Sequence, residues 1–520
     1  MLTATREPRS AMTQPDPSQH AVLDFLGRPD RAGGEPVRRI DTHAAAVFLS
    51  GGRALKIKRV VKFPFLDYST LEKRKAACEA ELEVNRPFAP AIYKRVVPIT
   101  RTPGGALAIN GDGEPVEWAV EMGRFDETQT LDHLADAGRI DDDLADALGR
   151  AVAAAHDGAR AATDAAFVAT LTTIVGQNDD ELSAAPDLFA ADAVAALTAA
   201  TRAALTRVTP LLDARERAGL VRRCHGDLHL GNIVLIDGKP TLFDAIEFDE
   251  RLSTIDVFYD LAFLLMDLIG RGLQPAANIV LNRYLIETRR SEDLDALAAL
   301  PLFMSVRAAI RAKVTAARRR HADDPAEAAQ TARDYFALAR ELIAPAPPRL
   351  IAVGGLSGTG KSVLARALAA AIAPPPGAVV LRSDIERKKL FGAAETEKLP
   401  QEAYARAATD KVYAALIGKA GRVLAAGHSA IVDAVFAHDD ERRAVAGAGG
   451  GAFQGLFLTA DLATRVARVG ARVADASDAD ADVARAQERY DLGALDWVAV
   501  DASGTPDETL QRAQAALRKS

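Results

Sequence analysis

The segment from Gly355 to Ser362 has the spacing G-x-x-x-x-G-K-S. Glycines in this arrangement let backbone N–H groups approach phosphate oxygens closely, and the N-terminus of a following helix adds partial positive charge. The lysine can reach the β- and γ-phosphates of a nucleotide, and the serine hydroxyl can ligate Mg²⁺. The sequence therefore predicts a nucleoside triphosphate site. Its predicted residues are Gly355, Ser357, Gly358, Thr359, Gly360, Lys361 and Ser362.

A second group of residues able to act on phosphates lies between His225 and Asp244. Asp227 and Asn232 are spaced as in the pattern H-x-D-x-x-x-x-N, and Asp244 follows as a later aspartate. A carboxylate can orient a substrate hydroxyl and accept its proton, which suits Asp227. Mg²⁺ prefers hard oxygen ligands, which Asn232 and Asp244 can supply. The spacing indicates phosphoryl transfer to a hydroxyl group.

Carboxylates also follow apolar segments in the C-terminal part. Asp384 and Arg387 come just after the apolar run 379–381, where α/β folds place their ligands. Asp384 can activate an acceptor hydroxyl, and Arg387 can hold an anionic acceptor. Asp433 ends the run 430–432, which is the position of a carboxylate that acts on Mg²⁺ through water.

Three arginines follow the next apolar run. Arg465, Arg468 and Arg472 are three and four positions apart, which places them on one face of a helix. We expect a mobile lid in which Arg468 and Arg472 close over the phosphates, because guanidinium groups suit the charge of the transition state. The alternative interpretation is a solvated helix surface.

Two kinds of scaffold are predicted to position these residues. Residues 39–343 begin with short strands around one charged helix and continue with long Ala-rich helices, which indicates a small β-rich lobe and a large helical lobe. Residues 344–349 form a Pro-rich linker. Residues 350–520 alternate strands and helices, as in a parallel α/β domain. Residues 1–38 are expected to be a disordered or loosely packed leader with one short helix at 21–26.

Composition excludes several classes of protein. The 520 residues carry a net charge of −7, which argues against coating of nucleic acids or membrane surfaces. Only two cysteines occur, so neither a disulfide framework nor a zinc-binding spacing is available. The N-terminus lacks the apolar core of a signal peptide, and no apolar run is long enough to span a bilayer. We expect a cytoplasmic protein without membrane association.

The block from His225 to Asp244 resembles the aminoglycoside phosphotransferase superfamily, and residues 40–340 are similar to its kinase fold. Its combination with a P-loop domain resembles a family of bifunctional bacterial proteins that join the two. The resemblance implies that Asp227 is the catalytic base and that Asn232 and Asp244 are metal ligands. It further implies that Glu247 is an outer ligand, that Asp260 braces the catalytic loop and that His225 is structural.

The same resemblance implies a phosphate-contacting lysine on a strand, paired with a glutamate on a helix. Lys56 and Lys58 lie on one face of their strand, and Lys56 better matches the A-x-K pattern of kinases. The helix offers three glutamates, of which Glu81 has the best spacing and Glu79 and Glu83 are the alternatives. The Gly51-Gly52 turn is short and is not a full glycine-rich loop.

Residues 350–515 are similar to small P-loop kinases of the polynucleotide kinase, gluconate kinase and zeta-toxin group. The pair of Asp384 and Arg387 resembles the acceptor-side pair of the polynucleotide-kinase relatives. This resemblance implies ATP as phosphate donor and does not identify the acceptor.

Together these patterns predict α/β and α+β folds: an N-terminal protein-kinase-like domain of two lobes and a C-terminal parallel α/β P-loop kinase domain. The leading hypothesis is a bifunctional phosphotransferase that uses ATP and Mg²⁺ at two separate sites to phosphorylate hydroxyl groups of small molecules. One alternative is a nucleotide-gated regulatory protein with a pseudokinase N-terminal domain, which the short turn at Gly51 suggests. Another is a 5′-hydroxyl polynucleotide kinase activity, which the acidic balance disfavours. The acceptors and the oligomeric state stay open.

Overall fold

The computed structural model describes residues 17–29, 35–42, 44–63, 66–162, 164–319, 322, 324–471 and 476–519. Its contacts divide the chain into two compact units, residues 1–271 with 302–343 and residues 272–301 with 344–520. Among the described residues, no helix combines the length and the apolar character needed to cross a lipid bilayer.

The first part of the chain forms a six-stranded antiparallel sheet in the order β1-β2-β3-β8-β6-β7, joined by tight turns and one helix. A two-stranded ribbon, β4-β5, lies outside this sheet. The elements are α1 (Pro17–Leu26), β1 (Arg38–Asp41), β2 (Ala45–Ser50), β3 (Arg53–Lys58), β4 (Lys62–Phe63), β5 (Leu66–Asp67), α2 (Leu71–Asn85), β6 (Tyr93–Arg101), β7 (Leu107–Ile109) and β8 (Glu114–Gly123).

The remainder of the first unit is mostly helical, with two short antiparallel pairs, β10-β11 and β9-β12. In chain order the elements are α3 (Leu131–Asp136), α4 (Asp142–Gly158), α5 (Phe167–Ser183), α6 (Ala191–Arg217), β9 (Val221–Arg223), β10 (Ile233–Ile236), β11 (Lys239–Leu242), α7 (Glu250–Ser253), β12 (Thr254–Asp256) and α8 (Val257–Gly270). After α9 (Gln274–Thr288) and α10 (Glu292–Ala296), the chain returns with α11 (Leu300–Arg318) and α12 (Pro325–Leu342).

Helix α2 and helix α1 cover opposite faces of the small-lobe sheet. The buried face of α2 carries Arg74, Cys78, Glu81 and Asn85, whose spacing of three and four follows the helical period. On the other face, Val22, Leu23 and Phe25 of α1 are buried in a cluster with residues of β2, β3 and β8. Residues 17–26 therefore differ from the loosely packed leader that the sequence analysis expected, because a sheet with two apolar faces needs cover on both. Of the other described residues of the leader, 27–29 and 35–37 lie between α1 and β1, and Arg38 begins β1.

The second unit is built on a five-stranded parallel sheet in the order β14-β15-β13-β16-β17, with helices between successive strands. Its C-terminal elements are β13 (Leu350–Gly355), α13 (Lys361–Ala369), β14 (Val379–Arg382), α14 (Ser383–Leu390), α15 (Arg406–Ala425), β15 (Ala430–Asp433), α16 (Asp439–Gly449), β16 (Phe453–Thr459), α17 (Leu462–Gly470), α18 (Ala481–Ala486), β17 (Val498–Asp501) and α19 (Pro506–Lys519). Strand β13, which leads into the glycine-rich loop, is fully buried at the centre of the sheet.

Helices α9 and α10 also belong to this second unit, although the sequence analysis assigned residues 272–301 to the first domain. Strand β14 is at the edge of the sheet, so one side of its backbone has no neighbouring strand. Asn282 of α9 supplies that pairing: its Oδ1 accepts from Val380 N at 2.7 Å, and its Nδ2 donates to Ala378 O at 3.2 Å. Asn278 donates to the same carbonyl at 3.1 Å. This amide contact explains why 272–301 joins the second unit.

Replacing Asn282 with alanine is therefore expected to destabilise the second unit. The change removes two hydrogen bonds from the edge strand, at a cost of about 2 kcal/mol. For a unit of this size, that corresponds to a fall of about 4–8 °C in its Tm. Calorimetry of the full-length protein measures this, with Gln511→Ala, which removes an exposed amide from α19, as control. Equal Tm values for the two variants would contradict a stabilising role for α9.

Candidate active sites

The predicted catalytic residues of the first unit lie on the loop between β9 and β10. Asn232 Nδ2 donates to the Asp227 backbone carbonyl at 3.0 Å and to Asp227 Oδ2 at 3.1 Å. Burial alone would raise the pKa of the Asp227 carboxyl, but the neighbouring His229, whose Nε2 is 3.5 Å from Oδ2, lowers it, and the net shift is downward. The Asp227 carboxylate is therefore ionised at neutral pH.

A buried aspartate holds the backbone of this loop. Asp260, on α8, accepts hydrogen bonds from His225 N at 3.0 Å and from Gly226 N at 2.9 Å. Gly226 has φ of +83°, and a Cβ there would lie about 3.1 Å from Leu252 O, so glycine is required at this turn. His225 Nε2 lies 2.8 Å from Phe243 O, which links the loop to the residue before Asp244. These contacts place Asp260 and His225 in the bracing positions that the family resemblance implied.

Two lysines and three carboxylates form one buried ionic network beside Asp227. Glu81 is 2.7 Å from Lys56 Nζ and 2.6 Å from Lys58 Nζ. Lys56 Nζ is also 2.8 Å from Asp244 Oδ1, and Lys58 Nζ is 2.5 Å from Glu247 Oε1. The structure thus brings together Lys56, Glu81 and Asp244, and adds Lys58, which was the second choice in the sequence. Glu79 and Glu83 are exposed on the outer face of α2.

The charges in this network stabilise one another. Burial lowers the pKa of Lys56, but Asp244 and Glu81 raise it by more, so the net pKa lies well above its usual value. Burial raises the pKa of Glu81, and the two lysines lower it below its usual value. Lys56 and Glu81 therefore both stay charged at neutral pH. Such a network presents fixed positive charge for phosphates and carboxylate oxygens for a divalent cation.

Two cavities of the first unit adjoin these residues. One, of about 330 Å³, is lined by Lys56, Lys58, Asp227, Asp244 and Glu247 together with the apolar side chains of Phe63, Leu66 and Phe248. The other, of about 200 Å³, is mostly apolar and is lined by Val47, Ala54, Tyr93, Met122 and Phe125 among others. The sequence analysis did not find the second cavity. The feature of the sequence that could have indicated this apolar cavity is the end of β8 at Met122-Gly123, where predicted strands are followed by predicted helices.

The glycine-rich loop of the second unit joins β13 to α13. Gly358 has φ of +87°, and a Cβ there would lie 2.4 Å from Arg465 O, so no other residue fits. Ser357 N donates to Gln487 Oε1 at 2.6 Å, and Lys361 Nζ donates to Leu356 O at 3.2 Å. Beside the loop lies a cavity of about 280 Å³, lined by Gly358, Thr359, Gly360, Val363, Leu364, Ala367, Arg468, Pro506 and Thr509.

The predicted carboxylates of this unit lie at the carboxyl ends of neighbouring parallel strands. Asp433 ends β15 and pairs in register with Val353 of β13, and Arg382 Nε is 3.4 Å from Asp433 Oδ2. Asp384 lies in the first turn of α14, directly after β14. Burial and the Asp433 carboxylate raise the pKa of Asp384, whereas Arg382 and Lys361 lower it, and the net shift is upward. The Asp384 carboxylate therefore binds a proton more readily than an ordinary aspartate does.

The predicted arginines are held differently from the expected lid. Arg465 is buried: its Nε donates to Ser357 O at 3.0 Å and its Nη2 to Ala484 O at 2.9 Å. Arg468 donates to Ala502 O and Gly504 O, both at 2.7 Å, and lines the cavity beside the loop. Both guanidinium groups satisfy backbone carbonyls, which need donors. Arg472 lies outside the described residues.

Arg387 lies on α14 one turn after Asp384. Its Nη1 donates to Ala403 O at 2.5 Å and to Thr409 Oγ1 at 3.3 Å, and its guanidinium lies 4.9 Å from the centre of the Tyr404 ring. Arg387 therefore holds the segment 403–409 beside Asp384.

Comparison with known proteins assigns both parts of the chain. A family described as "Phosphotransferase enzyme family" matches residues 39–300, and one described as "AAA domain" matches residues 350–491. Uncharacterized proteins of Mycobacterium bovis and Mycobacterium tuberculosis are 30% identical over 468 residues, which cover 87% of this chain and 90% of theirs.

The solved structures to which each part shows similarity include kinases, at low sequence identity. A choline/ethanolamine kinase family protein from Mesorhizobium loti is 14% identical with a TM-score of 0.36, over 62% of this chain and 99% of its own. The amicoumacin kinase hAmiN, solved with AMP-PNP and Ca²⁺, is 14% identical with a TM-score of 0.38, over 62% and 94%. A gluconokinase from Sinorhizobium meliloti is 23% identical with a TM-score of 0.25, over 33% and 93%.

The predicted fold class is confirmed: the first part has the phosphotransferase fold and the second a parallel sheet of the P-loop type. The chain belongs to the phosphotransferase enzyme family, as a kinase that joins the family's domain to a second, P-loop domain of kinase type.

Proposed function

We propose that the protein is a bifunctional ATP-dependent phosphotransferase with two separate ATP sites, each of which phosphorylates a hydroxyl group of a small molecule. One observation supports the proposal: each unit by itself contains a lysine, oxygen-bearing side chains and an aspartate that suit a phosphate, a divalent cation and an acceptor hydroxyl. In the first unit these are Lys56, Asp244 with Asn232, and Asp227. In the second they are Lys361, Asp433 with Ser362, and Asp384.

In the first unit, the apolar cavity at Val47 and Met122 suits the adenine ring, and the neighbouring cavity at Lys56 suits the phosphates and the acceptor. The amide and carboxylate oxygens of Asn232 and Asp244 fit Mg²⁺, which when bound would neutralise charge on the phosphates. Lys56 contacts a phosphate while Glu81 keeps its ammonium group in place. Asp227 orients the acceptor hydroxyl and takes its proton as the oxygen attacks the γ-phosphorus, while the bond from that phosphorus to the β–γ bridging oxygen breaks and ADP leaves.

In the second unit, the backbone of the glycine-rich loop and Lys361 bind the β- and γ-phosphates, and Ser362 and Asp433 are the residues that would hold Mg²⁺ through their oxygens, which when bound would neutralise charge on the phosphates. The cavity lined by Val363, Arg468 and Pro506 suits the base and ribose. Asp384 takes the proton of the second acceptor, and its raised pKa favours that role. Arg387 positions the wall of the acceptor site at Tyr404.

Calorimetric titration with ATP in excess Mg²⁺ tests the number of sites. We expect two ATP molecules per chain for the natural protein and one for Lys361→Ala, because that substitution affects only the glycine-rich loop. Arg366→Ala, which removes an exposed positive charge from the same helix, should leave both sites intact. One ATP molecule per chain, lost entirely in Lys361→Ala, would instead identify the first unit as a pseudokinase.

The rate of ATP consumption distinguishes a nucleic-acid acceptor of the second unit from a small-molecule acceptor. Under the small-molecule proposal, single-stranded oligonucleotides with a 5′-hydroxyl leave ATP consumption unchanged at any salt concentration. A stimulation that weakens as salt rises would favour polynucleotide kinase activity, because binding to the phosphate backbone depends on salt.

A further inference from the structure

Asp244 has a backbone conformation that its residue type rarely adopts. Its φ is +59°, in the left-handed region. Residues other than glycine adopt this conformation only occasionally, and then as single residues. Such a conformation persists only where the surroundings fix it. The contacts that fix it are therefore part of what places the Asp244 carboxylate.

Buried side chains of the small lobe hold the peptide groups around Asp244. The hydroxyl oxygen of Tyr93 accepts a hydrogen bond from Asp244 N at 3.1 Å. Asn85 Oδ1 accepts from Ala245 N at 2.7 Å, and Asn85 Nδ2 donates to Ala245 O at 3.3 Å. Asn85 is fully buried and Tyr93 is 1% exposed. Both N–H groups, at positions 244 and 245, are thus bound by side chains from one lobe.

Asn85 lies one helical turn after Glu81 on the buried face of α2. Its Nδ2 also donates to the backbone carbonyl of Glu81 at 3.1 Å. Glu81 in turn holds Lys56, whose Nζ contacts the Asp244 carboxylate. One helix face therefore fixes both the phosphate lysine and the backbone that carries the metal ligand.

We propose that Tyr93 and Asn85 are positioning residues for the divalent cation of the first ATP site. They hold residues 244 and 245 in the left-handed turn from which Asp244 offers its carboxylate to the cation. The inference rests on the proposed role of Asp244 as a metal ligand. Neither residue was singled out by the sequence analysis, because each acts through backbone groups far away in the chain.

Tyr93→Phe tests the inference with the smallest change, since it removes only the hydroxyl. The full-length Lys361→Ala protein, in which only the first site binds ATP, serves as background. ATP affinity is measured calorimetrically in excess Mg²⁺ and again in EDTA, and the ratio of the two affinities gives the contribution of the cation. We expect Tyr93→Phe to reduce this ratio about tenfold or more, as loss of a group supporting a metal ligand does. Affinity in EDTA should stay unchanged.

Tyr413→Phe provides a matched control in the second unit. The Tyr413 hydroxyl likewise accepts from a backbone N–H, that of Phe436, at 3.0 Å, and Phe436 likewise has a positive φ of 51°. This control loses an equivalent hydrogen bond and should keep the ratio of the background protein. Asn85→Leu should lower the ratio as Tyr93→Phe does, with its Tm measured in parallel.

The possible outcomes separate the inference from the proposed function. Absence of any ATP binding by the Lys361→Ala background would overturn the first ATP site itself. If the Lys361→Ala background binds ATP more tightly in Mg²⁺ than in EDTA, and Tyr93→Phe shows the same ratio of the two affinities, only the positioning role is overturned. An equal loss of affinity in Mg²⁺ and in EDTA would also overturn it, because Tyr93 would then act on the nucleotide cavity that it lines.

Discussion

Asp227→Asn is expected to slow phosphoryl transfer by the first unit about a thousandfold, which lies within the range for loss of a general base. The asparagine amide cannot accept the proton of the acceptor hydroxyl. It has nearly the same shape as the carboxylate, and its oxygen can still receive the hydrogen bond from Asn232. ATP should therefore bind to the variant with almost unchanged affinity, so the loss should fall on the rate of transfer.

The measurement uses ATP radiolabelled in its γ-phosphate and an untargeted small-molecule extract as a source of acceptors. Lys361→Ala again serves as background, so that every labelled product arises from the first site. Asp237→Asn makes the same chemical change at the exposed turn between β10 and β11 and should leave the products unchanged. If Asp227→Asn formed the same products at the rate of this control, Asp227 would not be the base.

The parts of both sites that are contiguous in the chain could be predicted from the sequence. The glycine-rich loop and the Asp227–Asn232 loop each bring their functional groups together within a few residues, so their spacing alone constrains the geometry. The ionic network could be predicted only as a set of choices. Lys56 and Asp244 are separated by 188 positions and Lys58 and Glu247 by 189, and a tertiary contact of that kind leaves no local pattern.

Sequence spacing left three glutamates of α2 as possible partners of the lysine, and the packing of the helix determines which of them contacts it. Glu79, Glu81 and Glu83 have the same side chain, and their helix has little amphipathic character because its buried face is itself polar. Only the position of α2 on the sheet selects Glu81, which is fully buried, while the other two face solvent. Helical period could have placed Asn85 on the same face as Glu81, but the peptide group that it binds belongs to another lobe.

The two described arginines of α17, Arg465 and Arg468, are held differently from the expected lid because of the surfaces that α17 packs against. Their spacing correctly placed them along one side of a helix, but spacing does not say whether that side faces solvent or protein. In the structure that side carries Arg465 against Ser357 and Arg468 against residues 502 and 504. Backbone carbonyls at loop ends accept hydrogen bonds from guanidinium groups, and the spacing of arginines along one helix does not show which carbonyls lie near them.

Lys361→Ala is expected to weaken ATP binding at the second site by about a hundredfold or more. The ammonium group would make charge-assisted hydrogen bonds to two phosphates, and loss of about 3 kcal/mol is typical for such contacts. That free energy corresponds to a factor of about a hundred in Kd. In the structure, Lys361 is partly exposed and its Nζ donates to the carbonyl of Leu356 at 3.2 Å, and the Tm of the variant shows whether removal of this side chain affects the fold.

The same variant should separate the two activities. Products labelled by the first site should persist in Lys361→Ala at an unchanged rate, whereas those of the second site should disappear. Arg366→Ala tests whether a change in the charge of α13 alone is responsible, since Arg366 is exposed on the same helix. Loss of both sets of products in Lys361→Ala, with normal Tm, would mean that one nucleotide site supports both reactions. Two ATP sites that act independently require the opposite result, in which Asp227→Asn and Lys361→Ala each remove one set and leave the other.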